Sequence, residues 1–214
     1  NEKKADELII SDISLSSTKA EPNYDLISKI AEECRMPLCY SGGIKNLEQI
    51  EKIISLGVEK VGLGGVCITN PQLISNAAKR VGSQSIVAIM DVKKSGFIKS
   101  YKVFINNGQK VTNFSPLEFL KTFQKLGAGE ILVNSINNDG EMKGYDFKLI
   151  DSIYSSANIP LTILGGAGSL KDIESMFKRY KNIGAAAGSI FVFKGKYKAV
   201  LIQYPSQKEK NSLY

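Results

Sequence analysis

Short runs of β-branched and apolar residues alternate along the chain with stretches in which apolar residues recur every three or four positions. The short runs predict seven buried strands, at residues 8–12, 38–41, 60–63, 86–91, 130–135, 161–164 and 185–189. The stretches between them predict amphipathic helices, such as the one with Leu26, Ile27, Ile30 and Cys34 on one face. Strands that alternate with helices form a parallel sheet, so the pattern predicts an α/β fold.

Local signals refine this pattern. Residues 97–112 break the alternation, and the Asn-Asn-Gly sequence at 106–108 predicts a small antiparallel hairpin there. Ser115 and Glu118 have the spacing of a capping box, and Asn46 stands where it can cap the next amphipathic helix. The predicted helices therefore have defined first residues.

The chain also repeats itself. Shifted by 123 positions, Glu7 falls on Glu130 and Gly42-Gly43 falls on Gly165-Gly166, and the register holds without a gap across about sixty residues. Two fused half-barrels of four βα units each explain such a repeat, so we predict a single (βα)8 TIM-barrel domain over residues 1–214. Strand 86–91 has no counterpart in the first half. The first βα unit is therefore expected to be absent from this chain and to precede Asn1.

Glycines cluster after the predicted strands at symmetric positions in the two halves. Barrel enzymes bind substrates at the carboxyl ends of their strands, and glycine lets backbone N–H groups approach an anion closely. The alternative is that each glycine only turns a tight loop. The symmetry favours two phosphate-binding sites, built from Gly42, Gly43, Gly64, Gly65, Gly165, Gly166, Gly188 and Ser189.

Three carboxylates stand at or just after strand ends. Asp91 closes an apolar run, where partial desolvation suits a general acid or base, and we predict a catalytic role for it. The alternative for each carboxylate is a helix cap or a loop turn. That alternative weighs equally for Asp12 and for Asp139, which is followed by Gly140. Asp139 and Gly140 are retained as candidate substrate-binding residues.

Three further charges stand at the opposite, amino-terminal ends of predicted strands. Glu7 and Glu130 are repeat-mates, and Lys60 could lie between them. The alternative is that all three are solvent-facing charges. We predict instead a ring of alternating charges that closes this end of the barrel, called the floor below.

Composition excludes several classes of function. The chain has no histidine, so proton transfer falls to other side chains, and neither a metal site nor a cofactor is expected. The net charge of +7 comes from scattered lysines apart from a carboxyl-terminal cluster, which does not favour a nucleic-acid partner. No apolar run is long enough to span a membrane. Cys34, Cys39 and Cys67 form no paired motif, which predicts reduced, buried thiols and a cytoplasmic protein.

These residues resemble a known family. The chain is similar over nearly its whole length to HisF, the cyclase subunit of imidazole glycerol phosphate synthase. The related isomerase HisA shares the fold and its repeat but needs no ammonia. The resemblance rests on motifs at 5–12, 41–44, 70–71, 82–84, 91, 127–130, 139–140, 144–146 and 165–168.

The resemblance implies a partner and a reaction. A HisH-like glutaminase would dock at the floor, and ammonia would pass a charged gate that corresponds to Glu7, Lys60 and Glu130. At the other end, Asp91 corresponds to one of two acid/base aspartates, and the second belongs to the first strand. The substrate would be a bis-phosphorylated formimino-carboxamide ribonucleotide. Attack by ammonia, cyclisation and cleavage would give imidazole glycerol phosphate, in histidine biosynthesis.

The chain departs from the HisF pattern at several positions. The family usually has Asn-Thr at Gly64-Gly65, Asp-Arg at 137–138 and Ser at Leu164. The segments 191–196 and 204–206 are similar to those of paralogues that deliver ammonia for amidation of a surface-polysaccharide sugar. That role is the first alternative to the cyclase, and a HisA-like phosphosugar isomerase is the second.

Overall fold

The strands and helices alternate as predicted. A computed structural model describes residues 1–16, 20–97, 99–195 and 197–213. The strands are β1 (Leu8–Ser11), β2 (Leu38–Ser41), β3 (Lys60–Leu63), β4 (Ile86–Ser95), β5 (Ser100–Ile105), β6 (Lys110–Val111), β7 (Glu130–Ser135), β8 (Leu161–Leu164), β9 (Ile183–Ala185), β10 (Phe193–Lys194) and β11 (Ala199–Val200). The helices are α1 (Tyr24–Glu33), α2 (Leu47–Ser55), α3 (Gly65–Thr69), α4 (Gln72–Val81), α5 (Pro116–Lys125), α6 (Phe147–Tyr154), α7 (Leu170–Arg179), α8 (Ser189–Val192) and α9 (Gln207–Asn211), with 3-10 turns at Ile13–Ser16 and Ser83–Ser85. Ile98, in the predicted hairpin, and Lys196, in the lysine cluster, lie outside the described residues.

The main sheet is parallel, as the alternation predicts. Its strands follow the order β1-β2-β3-β4-β7-β8-β9, and each neighbouring pair in this order is parallel. Six of the seven predicted strands begin at the predicted residue. The α/β class and the TIM-barrel type of architecture are confirmed.

The prediction for the last strand, 185–189, is wrong. This strand runs from Ile183 to Ala185, and Ser189 is the first residue of α8. The chain curls here because the Gly188 carbonyl accepts hydrogen bonds from the backbone N–H groups of Phe191 and Val192. The small residues at 185–188 are compatible with either a strand or a loop. The repeat would have given the correct start, because Ile183 lies 123 positions after Lys60, the first residue of β3.

The internal repeat is present in the structure. The first residues of β2 and β8, of α2 and α7, and of β3 and β9 are each 123 positions apart, and so are those of α1 and α6. The two halves therefore use the same succession of elements at the same spacing, as two fused half-barrels require.

The predicted hairpin is also confirmed. β5 pairs antiparallel with β6, and the turn between them places Asn106, Asn107 and Gly108 at positive φ. β4 is longer than predicted because it continues past the parallel sheet and pairs antiparallel with β5, from Asp91 opposite Phe104 to Ser95 opposite Ser100. The hairpin thus extends the strand that carries Asp91.

Apolar side chains fill two regions. The larger core lies between the sheet and the helices and includes fully buried residues such as Ile50, Ile150 and Phe123. A smaller cluster contains Cys39, Val87 and Leu132, with Ile9, Ile89 and Leu164 packed against it. Because strand side chains alternate between the two faces, this cluster lies on the concave face of the sheet. We call it the inner column.

The helix starts follow the predicted chemistry. Ser115 and Glu118 form a reciprocal capping box at the start of α5. The side chain of Asn46 accepts a hydrogen bond from the backbone N–H of Gln49 at 2.9 Å. Satisfying these N–H groups fixes where each helix begins and hence how the preceding loop leaves its strand.

Candidate functional site

The three charges predicted at the floor meet in the structure. The Lys60 ammonium lies 3.0 Å from Glu7 Oε2 and 2.9 Å from Glu130 Oε2. Glu7 immediately precedes β1, and Glu130 begins β7, with three strands between those two in the sheet. Two carboxylates so far apart along the sheet can share one ammonium only if the sheet curls. We call Glu7, Lys60 and Glu130 the floor triad.

The floor triad is partly withdrawn from water. The exposed fractions of its side chains are 33% for Glu7, 24% for Lys60 and 12% for Glu130. Burial alone would lower the pKa of Lys60, but the hydrogen bonds to the two glutamates outweigh it and raise this pKa. The hydroxyl of Thr162 donates to Glu130 Oε1 at 2.7 Å, which fixes the second oxygen of that carboxylate. Lys60 is therefore held as a cation.

A cavity of about 610 Å³ lies at the carboxyl ends of the strands, at the opposite end of the sheet. We call it the mouth cavity. Ile9, Ile89, Leu132 and Leu164 line it and also belong to the inner column. An apolar column therefore leads from the region of the floor triad to the mouth cavity.

Cys39 belongs to this column and stays neutral. Burial raises the pKa of its thiol to about 12, and the nearby carboxylates of Glu7 and Glu130 act in the same direction. A protonated thiol adds no charge to the column.

Asp91 lies in the mouth cavity and is partly buried. Burial raises the pKa of its carboxyl, and the negative charge of Asp139 raises it further. The side-chain N–H of Asn134 donates to Asp91 Oδ1 at 2.9 Å and opposes this shift, so that the pKa is raised on balance. A carboxyl group with a raised pKa can exchange protons more readily near neutral pH, which suits a general acid or base.

Asp12 and Asp139 line the same cavity but also have local structural roles. Asp12 Oδ1 accepts hydrogen bonds from the backbone N–H of Ser14 at 3.1 Å and from its hydroxyl at 2.6 Å. The backbone N–H of Asp139 bonds to the carbonyl of Ser135 at 2.9 Å, and Gly140 follows with φ +73°. Both aspartates therefore shape a turn beside the cavity.

The glycines after β2 and β8 are required by close packing. Gly42 and Gly165 have φ of +119° and +95°. A Cβ would lie 2.4 Å from the Asp12 carbonyl oxygen at Gly42 and 2.7 Å from the Ser135 carbonyl oxygen at Gly165. Asp12 and Ser135 are themselves repeat-mates, so the same loop contact occurs in both halves. Tight turning thus explains these two glycines without an anion.

The structure brings only part of the predicted set together. Six of the predicted residues line the mouth cavity: Gly42, Gly43, Gly64, Gly65, Asp91 and Asp139. Five are not among its lining residues: Gly140, Gly165, Gly166, Gly188 and Ser189. Gly166 is instead packed against the preceding loop, where a Cβ would lie 2.2 Å from the Gly144 carbonyl oxygen. The residues predicted for the second phosphate site are thus not among those that line the mouth cavity.

Substitution of two glycines should show which of them is required by close packing. We expect Gly42→Ala to destabilise the protein by about 1–3 kcal/mol, because it combines a positive φ with a steric clash. Gly188→Ala is the matched control, because among the described residues, its two chain neighbours aside, no atom lies within 4 Å of the position that its methyl group would take, and its φ is −112°. We expect a change within about 0.5 kcal/mol there. Urea unfolding measures both, and equal losses would contradict the packing explanation.

Known proteins of similar sequence show to which family this chain belongs. Residues 1–198 match the family described as histidine biosynthesis protein. A relative from Vibrio vulnificus, provisionally named imidazole glycerol phosphate synthase subunit hisF3, is 53% identical over 98% of this chain and 81% of its own length. This chain belongs to the HisF family.

Two further relatives of this chain also carry the HisF name. A protein of Leptospira interrogans, provisionally named imidazole glycerol phosphate synthase subunit HisF, is 50% identical over the whole chain and 84% of its own length. Imidazole glycerol phosphate synthase subunit HisF of Lactococcus lactis subsp. cremoris is 37% identical over 89% of this chain and 73% of its own length. The resemblance found in the motifs is confirmed.

Asn134 is one of the polar residues of this HisF-family site that were not predicted from the sequence. Asn134 lies on β7 directly opposite Asp91 on β4 and also lines the mouth cavity. A signal was available, because Asn134 interrupts an apolar strand and its repeat-mate, Ser11, is polar too. The hydroxyl of Ser41 donates to that of Ser11 at 3.0 Å, so the strand end that corresponds to Asn134 in the first half also carries a hydrogen-bonded polar side chain.

The described ranges hold neither a candidate metal site nor a helix that could span a membrane. In residues 1–16, 20–97, 99–195 and 197–213, no three His, Cys, Asp or Glu side chains are grouped so that they could hold a metal ion. Over the same residues, every helix is too short or too polar to cross a membrane.

Proposed function

We propose that this chain is the ammonia-using subunit of an imidazole glycerol phosphate synthase-type pair. A glutaminase docks at the floor and releases ammonia there. The ammonia moves along the inner column to a bis-phosphorylated formimino-carboxamide ribonucleotide in the mouth cavity. The observation that carries this proposal is the floor triad, in which Lys60 joins Glu7 and Glu130 at one end of an apolar column while Asp91 lies at the other.

The walls of the inner column suit ammonia. An uncharged molecule pays a small desolvation penalty in apolar surroundings, whereas ammonium has a large one. The column presents Val87, Leu132 and a neutral thiol at Cys39. It therefore favours transit of NH3 over NH4⁺, while the floor triad supplies polar contacts where ammonia enters.

The mouth cavity supplies the acid/base chemistry. Attack by ammonia on the substrate leaves a surplus proton on the nitrogen of the new C–N bond, and ring closure with cleavage requires protons to be returned. The partly buried carboxyl of Asp91 is the described group that we assign to this transfer. The products are imidazole glycerol phosphate and an aminoimidazole carboxamide ribonucleotide. We assign the pair to the cytoplasm, where reduced thiols such as those of Cys39 and Cys67 persist.

A second function is favoured by the lining of the mouth cavity. Lys45 is the one cation among the described lining residues, against the carboxylates of Asp12, Asp91 and Asp139. Gly64, Gly65 and Leu164 offer no side-chain hydrogen bond to a phosphate. This lining suits a subunit that delivers ammonia to a separate sugar-amidating enzyme for a surface polysaccharide. The HisA-like isomerase is disfavoured because it has no use for the floor triad.

An assay of the complete protein separates the two functions. The ribonucleotide and an ammonium salt are supplied without glutaminase, and formation of imidazole glycerol phosphate is followed. Turnover on the order of 1–10³ per second, the ordinary range for enzymes, is expected for the cyclase. No product, together with intact glutaminase binding, would instead support ammonia delivery for amidation. Failure to bind or activate any glutaminase would overturn both.

A further inference from the structure

Asn134 forms a close pair with Asp91. The two residues are opposite each other in the register of β7 and β4, and the amide N–H of Asn134 donates to Asp91 Oδ1 at 2.9 Å. In the described residues, no other hydrogen bond to the Asp91 carboxylate is formed. One oxygen is therefore fixed by Asn134, and the other is left for a ligand in the mouth cavity.

The surroundings of the side-chain carbonyl oxygen of Asn134 bear on how the amide is oriented. Its carbonyl oxygen is buried and has no hydrogen-bond partner within the described part of the chain. A Cβ at Gly165 would lie 3.3 Å from this oxygen. Rotating the amide would place the oxygen against the carboxylate of Asp91 and remove the hydrogen bond to that group. Asn134 thus keeps an unsatisfied acceptor so that its N–H can hold Asp91.

We propose that Asn134 is a positioning residue that acts through Asp91: it holds one carboxylate oxygen and stabilises the ionised form that accepts a proton in the mouth cavity. The role of Asn134 in catalysis rests on the proposed function, whereas its hydrogen bond to Asp91 does not. The class of ligand is any substrate that gives up a proton to Asp91.

The charges around Asp91 allow a two-sided test. Asp12, Lys45 and Asp139 are the other charged residues that line the cavity. Lys93, on the same strand as Asp91, directs its ammonium to the Gly108 carbonyl at 2.7 Å and lies over the ring of Phe104. Among these groups Asp139 raises the pKa of Asp91, while the hydrogen bond from Asn134 lowers it.

The test uses two variants with opposite expected effects. Asn134→Leu keeps the approximate size of the side chain but removes the donor, and it should raise the titration midpoint of the Asp91 carboxyl by about 1 pH unit. Asp139→Asn removes a negative charge and should lower that midpoint. Carbon-13 NMR of labelled aspartate carboxyls in the unliganded complete protein measures both, and Asp91→Asn identifies the resonance by its disappearance.

Activity adds a second readout. The acid limb of the pH profile of kcat/KM for the ribonucleotide, measured with ammonium, reports the free enzyme. It should move up in Asn134→Leu and down in Asp139→Asn, by the same amounts as the NMR midpoints. An unchanged midpoint in a folded Asn134→Leu protein would overturn the positioning role, since a purely structural residue would leave it in place. The NMR measurement needs no substrate. A shifted midpoint with no wild-type turnover would therefore support the pairing and count against the proposed function alone.

Discussion

Replacing Asp91 by Asn is expected to reduce ammonium-driven turnover by about 10²–10⁴-fold, the usual contribution of a general acid or base. The change keeps the size of the side chain but removes the group that exchanges the proton. Substrate binding should change much less, so the loss should appear in kcat more than in KM. Steady-state kinetics with saturating ammonium measures both quantities.

The same variant should be more stable than the wild type at neutral pH. The pKa of Asp91 is raised in the folded protein by burial and by Asp139. The protonated Asp91 carboxyl therefore contributes to stability fully below the pKa that it has in the unfolded chain. This contribution is lost as the pH rises through the pKa that it has in the folded protein. Asn carries no charge at any pH and avoids this loss. Thermal unfolding of Asp91→Asn at pH 7 and at pH 4 should show a larger gain at pH 7, and a loss of stability at pH 7 would contradict the burial argument.

Replacing Lys60 by Met is expected to uncouple the two sources of nitrogen. Glu7 and Glu130 would then face each other without the cation that joins them, and the floor would admit water. Glutamine-driven product formation should fall about tenfold or more, equivalent to at least roughly 1.4 kcal/mol. Ammonium-driven turnover should stay close to that of the wild type, because free ammonia enters through the mouth cavity.

A matched control distinguishes a specific effect at the floor from the general effect of losing a lysine. Lys178 pairs with Glu174 on α7, and its side chain is 68% exposed. Exposed pairs contribute little, so Lys178→Met should leave both assays unchanged. Equal losses with glutamine and with ammonium in Lys60→Met would show that Lys60 has only a structural role.

The floor could be predicted from the sequence because its geometry follows from the repeat. Glu7 and Glu130 occupy the same position in their half-barrels, and Lys60 begins a strand between them. Side chains that begin strands of a closed or curled sheet point to one end, so three charges of alternating sign had to meet. The gap-free repeat of 123 residues fixed the register on which this reasoning depends.

The mouth was harder to predict, because loop glycines have more than one physical cause. Gly42 and Gly165 need positive φ and close backbone contact whether or not a phosphate binds. The turn at Gly188 depends on two backbone hydrogen bonds, which leave no pattern in the side chains of the sequence. The role of Asn134 depends on the register between β7 and β4, which is a tertiary property. Local patterns cannot specify such contacts.

The most direct measurement of channelling follows the origin of the nitrogen. The complete protein and the proposed glutaminase partner are supplied with the ribonucleotide, glutamine labelled with nitrogen-15 in its amide, and an excess of unlabelled ammonium at a pH where little of it is NH3. We expect imidazole glycerol phosphate to retain most of the label in the wild type, and Lys60→Met to lose it to the solvent pool. Product whose label is diluted to the composition of the bulk ammonium in the wild type would contradict passage of ammonia from the floor triad to Asp91.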